Sequence, residues 1–370
     1  PFFVLSVPQM MPETLQDARA HIDALDEQIQ TLISQRARIA QQVALIKQRA
    51  GDSGDHYRPA REAEVLRAAI ARNTGPLTDD TIARLMREVM SACLSLESPL
   101  TVAYLGPEGT YTQAAVAKAF GDAVTARPLA AIDEIFRDVE SGAADYGVVP
   151  VENSIGGIVS HTLDALVHTH LTICGEVTLP VHHHLLSREA RAEDIKTVYA
   201  HPQSFAQCRK WLDARLPKAE REAVASNGEA ARIVAEHGGA AIAGLPAARL
   251  YALSILASNI EDDPSNPTRF LVIGKQSPGR TGADITSLVL SSHRNQPGAL
   301  FRLLQPFADI GLDLTRIESR PMKGAPIQDY FFFIDFAGHL QDAPVRSALD
   351  AVQADAAFFK ILGSYPKAVL

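Results

Sequence analysis

From residue 14 to residue 49 the chain contains no glycine and no proline. Across it Leu15, Ile22, Leu25, Ile29, Leu32, Ile33, Ile39, Val43 and Ile46 recur at the three- and four-residue spacing of one helical face. The run predicts a single helix of about ten turns, over ~50 Å long at 1.5 Å per residue. The stretch AGDSGDHYRP ends it, a second helix is expected over 62–71, NTGPLT breaks the pattern again, and a third helix is expected over 79–96. Two such short helices cannot cover the stripe of the long one. The region is therefore expected to bury it against a second copy, as a homodimer.

At 370 residues the chain is too long for one core, so two or three domains are expected. A hydrophobic content of 46% with 21% charged residues is that of a globular protein, and no apolar run reaches membrane-spanning length. The opening PFFVLSVPQMMPETL lacks the basic start and small-residue cleavage pattern of a signal peptide, so a cytoplasmic protein without membrane association is expected. A net charge of −8 disfavours a nucleic-acid surface, which needs clustered cations, and leaves small-molecule chemistry as the default. Three cysteines without paired spacing suggest neither a disulfide framework nor a zinc site. The run His182, His183, His184 suggests no metal either, because consecutive strand residues face opposite ways.

Beyond ESPL, short apolar runs alternate with helical patterns: TVAYLG, TQAAVAKAF, YGVVPVENS, VSHTLDALV, and again KTVYAHPQSFAQCRKWL and AAIAGLPAARLYAL. This predicts an α/β domain with mostly parallel strands, compatible with two lobes around a cleft. After the linker GKQSPGRTGAD the order is strand 286–291, helix 298–310, strands 312–319 and 330–337, helix 343–354 and a last strand near FFKILGSYP. That βαββαβ order is ferredoxin-like, an α+β unit whose sheet can offer a face or edge to a partner copy. The domains are drawn at 10–98, 100–276 and 285–370.

Certain polar residues are not explained by packing. Arg36 and Lys47, eleven residues apart, point nearly the same way along the long helix, which reads equally as a solvated face, since Gln35, Arg38 and Gln42 are polar too; Arg19 lies about 100° round from Arg36 and could reach the same pocket only from a neighbouring copy. In NPTRFLVIG, Thr268 and Arg269 stand at the mouth of an apolar strand after a polar loop, a place where ligand-contacting groups are kept. Taken alone, they read equally as a strand-start threonine and an arginine paired to a carboxylate. Glu152, Asn153 and Ser154 enter a glycine-containing turn whose free amides suit an anion, or whose Asn and Ser simply cap a helix.

The helical blocks ARAHIDALDEQIQTLISQRARIAQQVALIK, RPAREAEVL and SLE resemble the all-helical chorismate mutase domain. The resemblance implies an interlocked dimer holding chorismate, with Arg19 supplied by the partner and Arg36 and Lys47 on the carboxylate and ether oxygen. Arg61 and Glu62 form the next pair, and Glu97 lies near the ether oxygen. Cations suit a dicarboxylate whose ether oxygen gains charge as its C–O bond breaks. The resemblance implies no cofactor. A carboxylate cannot donate a hydrogen bond, so Glu97 would need a proton to help. Arg58 stands where relatives often have Asp, and Cys93 where a Ser can occur.

The blocks YLGPEGTYTQAA, VPVENSIGGIV, HPQSFAQC, SNGEAAR and DDPSNPTRFLVIG, in this order, resemble prephenate dehydratase, implying a two-lobed, periplasmic-binding-protein-like fold. The resemblance makes Thr268 the essential residue, with Arg269 and Phe270 beside it. Glu152, Asn153 and Ser154 would line one side of the interlobe cleft, and Ser204 and Gln207 the other. Thr268 is too weak an acid for full proton transfer and is expected to donate a hydrogen bond to the departing hydroxyl.

GALF (Gly298, Ala299, Leu300, Phe301) and ESRP (Glu318, Ser319, Arg320, Pro321) resemble an ACT domain, which implies feedback inhibition by phenylalanine bound between two such domains. The reading is a bifunctional chorismate mutase and prephenate dehydratase, turning chorismate into phenylpyruvate for phenylalanine biosynthesis. The alternatives are a dehydratase whose helical domain only dimerises, and a non-catalytic amino-acid sensor.

Overall fold

The computed structural model describes residues 14–50, 57–293, 297–322 and 329–369. Its first region is α-helical: α1 (Leu15–Arg49), α2 (Pro59–Ala71) and α3 (Asp79–Ser95). Helix α1 runs unbroken for 35 residues, as the absence of Gly and Pro requires. Thr78 caps α3 by accepting from the Thr81 amide, and Pro59 opens α2 where its missing N–H costs nothing. Leu66 and Ala83 are buried between α2 and α3 and the rest of the chain, while the apolar stripe of α1 stays open to solvent, with Ile29 54% and Leu32 62% exposed.

The second region has two lobes. The first contains β1 (Thr101–Leu105), α4 (Tyr111–Phe120), β2 (Thr125–Leu129), α5 (Ile132–Ser141), β3 (Tyr146–Asn153), β4 (Gly157–Ile158), α6 (Ser160–His168) and β5 (Thr172–Pro180). The second contains β6 (His184–Ser187), β7 (Thr197–Ala200), α7 (Pro202–Gln207), α8 (Arg209–Arg215), β8 (Glu220–Ala223), α9 (Asn227–His237), β9 (Ala240–Ala243), α10 (Leu245–Leu250) and β10 (Ser254–Ala257). The chain then returns to the first lobe as β11 (Pro267–Gly274).

Strand order is β2-β1-β3-β11-β5 in the first lobe, with β4 on β3, and β10-β6-β9-β7-β8 in the second. Neither sheet is mostly parallel. Strand β11 inserts antiparallel between β3 and β5, and β6 lies antiparallel to both β9 and β10. The expectation failed because a returning strand enters from the opposite end of the sheet, which the local pattern of apolar runs does not record. Two crossings therefore join the lobes, and they are tied together: Val181 N donates to Asn266 O (2.9 Å) and Ile260 N to His183 O (2.8 Å).

The third region, β12 (Asp284–Ser292), α11 (Ala299–Asp309), β13 (Leu314–Pro321), β14 (Tyr330–Ala337), α12 (Ala343–Asp355) and β15 (Ala356–Pro366), is the expected ferredoxin-like unit, an antiparallel sheet in the order β13-β14-β12-β15. Its helices cover one face. The other face is not left for a partner copy: Ile285, Val289, Phe333, Leu362 and Tyr365 share one core with Leu166, Ile173 and Leu271 of the first lobe. Each such side chain contributes roughly 1.5–3 kcal/mol on burial. Strand β15 lies so close to β5 that a Cβ on Gly363 would run into the carbonyl of Ile173. Lys360 reaches across to the last carbonyls of α6, at Leu166 (2.8 Å) and Val167 (3.1 Å), where a cation offsets the helix dipole. Among the described residues no helix is long and apolar enough to cross a membrane.

Candidate active site

Where the two crossings meet, polar side chains from both lobes form one hydrogen-bonded chain. Thr268 on β11 stands opposite Asn153 on β3. Asn153 Nδ2 donates to Thr268 Oγ1 at 2.8 Å and to Asn266 Oδ1 at 2.7 Å. Asn266 Nδ2 donates to Gln207 Oε1 at 3.3 Å, the same oxygen that lies 2.7 Å from His183 Nε2, and His183 Nδ1 lies 3.0 Å from the Tyr111 hydroxyl. Thr268, Asn266, Gln207 and His183 are all buried. Burial pushes the His183 pKa below its ordinary value and the Tyr111 pKa well above its own, so both are held neutral. Beneath them, burial raises the Glu261 carboxyl, but hydrogen bonds from the His182 side chain and the His183 amide more than reverse that and leave it low.

Two donors in this chain are uncommitted. Because Thr268 Oγ1 already accepts from Asn153, its own hydrogen is free to be donated outward. Gln207 spends its oxygen on two partners, and its buried amide nitrogen has none among the described residues. A buried unpaired donor costs about 1–3 kcal/mol, which a ligand oxygen would recover. Beside Tyr111 a cleft opens between the lobes, lined by Thr110, His201, Asn227, Arg232 and Tyr251.

The lobes touch at the VENS turn. Gln203 Nε2 donates to Asn153 Oδ1 at 3.2 Å, and a Cβ on Gly156 would collide with the Gln203 amide. Asn153 Oδ1 also accepts from the amides of Ile155 (3.2 Å) and Gly156 (2.6 Å). The turn amides expected to be free for an anion are thus already taken by Asn153, and the turn leads into β4 rather than directly into a helix. Ser154 donates to Ser265 O (3.2 Å), and Ser204 accepts from Asn227 Nδ2 (2.7 Å).

Three residues expected in the cleft are elsewhere. Arg269 turns to the opposite side of β11 from Thr268, where Nε meets Glu176 and Nη1 meets Asp335, both at 2.8 Å, and Nη2 meets the Tyr365 hydroxyl at 3.1 Å. Adjacent strand residues alternate faces, so a threonine and an arginine side by side cannot both enter one cleft. The plainer reading, an arginine paired to carboxylates, is the one the structure has. Glu152 faces away in the same manner, with Oε2 3.4 Å from Arg316 Nε. Phe270 is 2% exposed and packs in the core with Val102, Tyr104 and Val177.

In the helical region Arg36 and Lys47 do point the same way, toward α3. Arg36 Nη1 lies 3.4 Å from Val89 O, and Lys47 Nζ pairs with Glu97 Oε1 at 2.9 Å. Arg19 is exposed on α1. Arg61 and Glu62 diverge: Arg61 is exposed and pairs with Glu64 (2.9 Å), while Glu62 is drawn to Arg87 (3.1 Å), with burial raising its carboxyl despite that cation. None of the described hydrogen bonds or ion pairs joins either to Lys47.

In the third region Gly298 takes a left-handed conformation (φ 79°) before α11, which glycine alone adopts without strain, followed by buried Ala299 and half-buried Leu300. Strand β13 alternates: Ser319 is exposed, whereas Glu318 and Arg320 are half-buried on the other face, with Arg320 Nη2 3.4 Å from Asp164 Oδ1. Ser319 and Arg320 both lie on the edge strand β13, with side chains on opposite faces of it.

His183, Asn266, Tyr111 and Gln203 were not singled out from sequence. Three of them lie inside quoted blocks (DDPSNPTRF, YLGPEGTYTQAA, HPQSFAQC), so the signal was present without a reason to choose among the residues. His183 was set aside with its neighbours as an unpromising metal ligand. Each of the three histidines in fact has its own partner, His182 with Glu261 and His184 with the Asn259 amide.

Three family models match the chain: Chorismate mutase type II over residues 18–98, Prephenate dehydratase over 102–278 and ACT domain over 286–353. A bifunctional chorismate mutase/prephenate dehydratase of Pseudomonas aeruginosa is 53% identical over 97% of this chain and 99% of its own length. One from Aquifex aeolicus is 41% identical over 97% and 99%. The solved prephenate dehydratase of Arthrobacter aurescens, in complex with L-Phe, is similar at a TM-score of 0.67 and 36% identity, covering 72% of this chain and 90% of that one.

Proposed function

Because the chain belongs to the bifunctional chorismate mutase/prephenate dehydratase family, we propose that it converts chorismate to prephenate in its helical domain and prephenate to phenylpyruvate in the interlobe cleft, for phenylalanine biosynthesis. The observation that carries the second activity is the Thr268 hydroxyl, buried, accepting from Asn153 and so oriented to give its hydrogen to a leaving oxygen. As the bond from the ring to its carboxylate breaks and CO2 departs, the C–C electron pair completes the aromatic ring and expels the hydroxyl with its bonding pair; the hydroxide becomes water by taking a proton from solvent. Thr268 steadies the departing oxygen. With Arg269 turned away, carboxylate recognition falls to amides, above all Gln207 Nε2.

For the first activity, Arg36 and Lys47 converge on α3 from one face of α1, two cations for a dicarboxylate. Arg19 lies elsewhere on α1, and the exposed stripe of that helix gives the reason a second copy would dock there, bringing its own Arg19. The working unit is accordingly a homodimer. The domain limits stand at 10–98, 100–276 and 285–370. Phenylalanine acts as inhibitor at the ACT domain around Gly298–Leu300 and Glu318–Arg320, a proposal supported by the L-Phe complex of the similar Arthrobacter protein. The location proposed is the cytoplasm.

A coupled assay tests the whole. Purified protein should consume chorismate, form phenylpyruvate from prephenate, and slow when phenylalanine is added. Absence of phenylpyruvate from prephenate would leave a mutase or a sensor.

A further inference from the structure

Directly behind the cleft, two sheets meet through a square of alternating charges. On the dehydratase sheet Glu152 and Arg269 are register neighbours, each one residue along from a cleft residue, Asn153 and Thr268. On the ACT sheet Arg316 and Asp335 are register neighbours as well. The pairs close across the interface, Arg269 to Asp335 at 2.8 Å and Glu152 to Arg316 at 3.4 Å. All four side chains are at most 40% exposed, and those of Arg269 and Asp335 are 17% and 10% exposed, so water screens the tighter pair little. Arg316 belongs to β13, the strand that continues to Glu318, Ser319 and Arg320.

We infer that this charge square is the transmission point of the regulatory domain: the seating of the ACT sheet on Arg269 and Glu152 sets the placement of Thr268 and Asn153 one residue away on the same strands. A strand residue cannot shift without its neighbour, since one backbone carries both and their side chains alternate faces. A ligand that favours another seating of β13 and β14 would pull on the hydrogen-bonded Thr268–Asn153 pair without touching the cleft. Arg269 is then a positioning residue. Its charge is also met by Glu176 within its own sheet, at 2.8 Å, so loss of the ACT partner does not leave it bare.

This inference rests on the proposed inhibition by phenylalanine, and the test separates the two. The variants are Asp335→Asn, which removes the charge across the interface, and Tyr365→Phe, which removes the hydroxyl 3.1 Å from Arg269 while keeping its ring in the core. Both lie outside the cleft. For each, dehydratase turnover without phenylalanine, its inhibition by phenylalanine, and phenylalanine affinity by calorimetry are measured beside the wild type. The expected result is near-normal uninhibited turnover and affinity, with inhibition weakened on the order of tenfold by Asp335→Asn, within the usual 5- to 150-fold span of allosteric coupling. Tyr365→Phe should weaken it less. Inhibition unchanged in Asp335→Asn, or weakened only as far as phenylalanine affinity falls, would overturn the inference while leaving the regulatory reading intact. A wild-type dehydratase indifferent to phenylalanine would overturn both.

Discussion

On the proposed reading, the helical domain and the interlobe cleft solve the same problem, holding a cyclic dicarboxylate, at different levels of assembly. In the cleft, Thr268, Asn153, Asn266, Gln207 and His183 are already joined by hydrogen bonds within one chain, because the chain crosses between lobes twice and brings both halves of the site to the crossings. In the helical domain, Arg36 and Lys47 reach α3, but Arg19 does not join them and the apolar stripe of α1 lies open. A cleft closed by its own crossings needs no partner. On the proposed reading the mutase site does need one, because Arg19 does not join Arg36 and Lys47 within the chain and the apolar stripe of a ~50 Å helix is left uncovered.

The comparison can be broken by removing each half in turn. Thr268→Ala should lower dehydratase turnover by about 10²–10³-fold, the effect of deleting a hydrogen-bond donor at a developing charge, and leave chorismate consumption unchanged. Equal loss of both activities would show that the sites are not separate. Ile29→Glu combined with Leu32→Glu should do the reverse. Carboxylates placed on the stripe oppose helix-against-helix burial, so mutase activity should drop on the order of 10²-fold, as several kcal/mol of desolvation would produce, with prephenate turnover retained. Size measurement on the double variant should find single chains.

Smaller effects sharpen the picture of the cleft. Gln207→Ala should raise the KM for prephenate by about tenfold, as loss of one hydrogen bond to a charged group would. A KM equal to wild type would show that its free amide does not meet the substrate. The smallest effect is a dependence of stability on pH. Burial holds His183 below its ordinary 6.5, so as pH falls through that value the unfolded chain takes up the proton first. The stabilisation is whole above about pH 6.5 and drains away as pH drops toward the lower folded value. Denaturant midpoints measured from about pH 8 downward, through the range in which histidine titrates, should fall less steeply in His183→Gln than in wild type.

Much of this was legible in the sequence. Helix α1 and the βαββαβ order could be read because a gap-free 3.6-residue period and a simple succession of elements are local properties. The sheet partners of β11 are not local, and so the mixed character of both sheets was hidden. The TRF triplet shows the limit most clearly. Its residues all lie on β11, and Thr268 joins the hydrogen-bonded chain with Asn153, but a motif does not state which face each side chain takes. Arg269 and Phe270 went with it as neighbours in sequence, whereas one binds the ACT sheet and the other fills the core. The alternation argument applied to the three histidines separates Arg269 from Thr268, though not Phe270. His183 was missed for the converse reason, since a histidine between two others gives no sign that a glutamine 24 residues on will meet it.

The most direct test of the contrast is to follow both activities of the wild-type protein as it is diluted, with light scattering recording its association. The specific mutase activity should fall as the copies separate, while turnover of prephenate per chain stays level. If both fell together, or if mutase activity persisted undiminished in a population of single chains, the claim that one site is built within a chain and the other between chains would be contradicted.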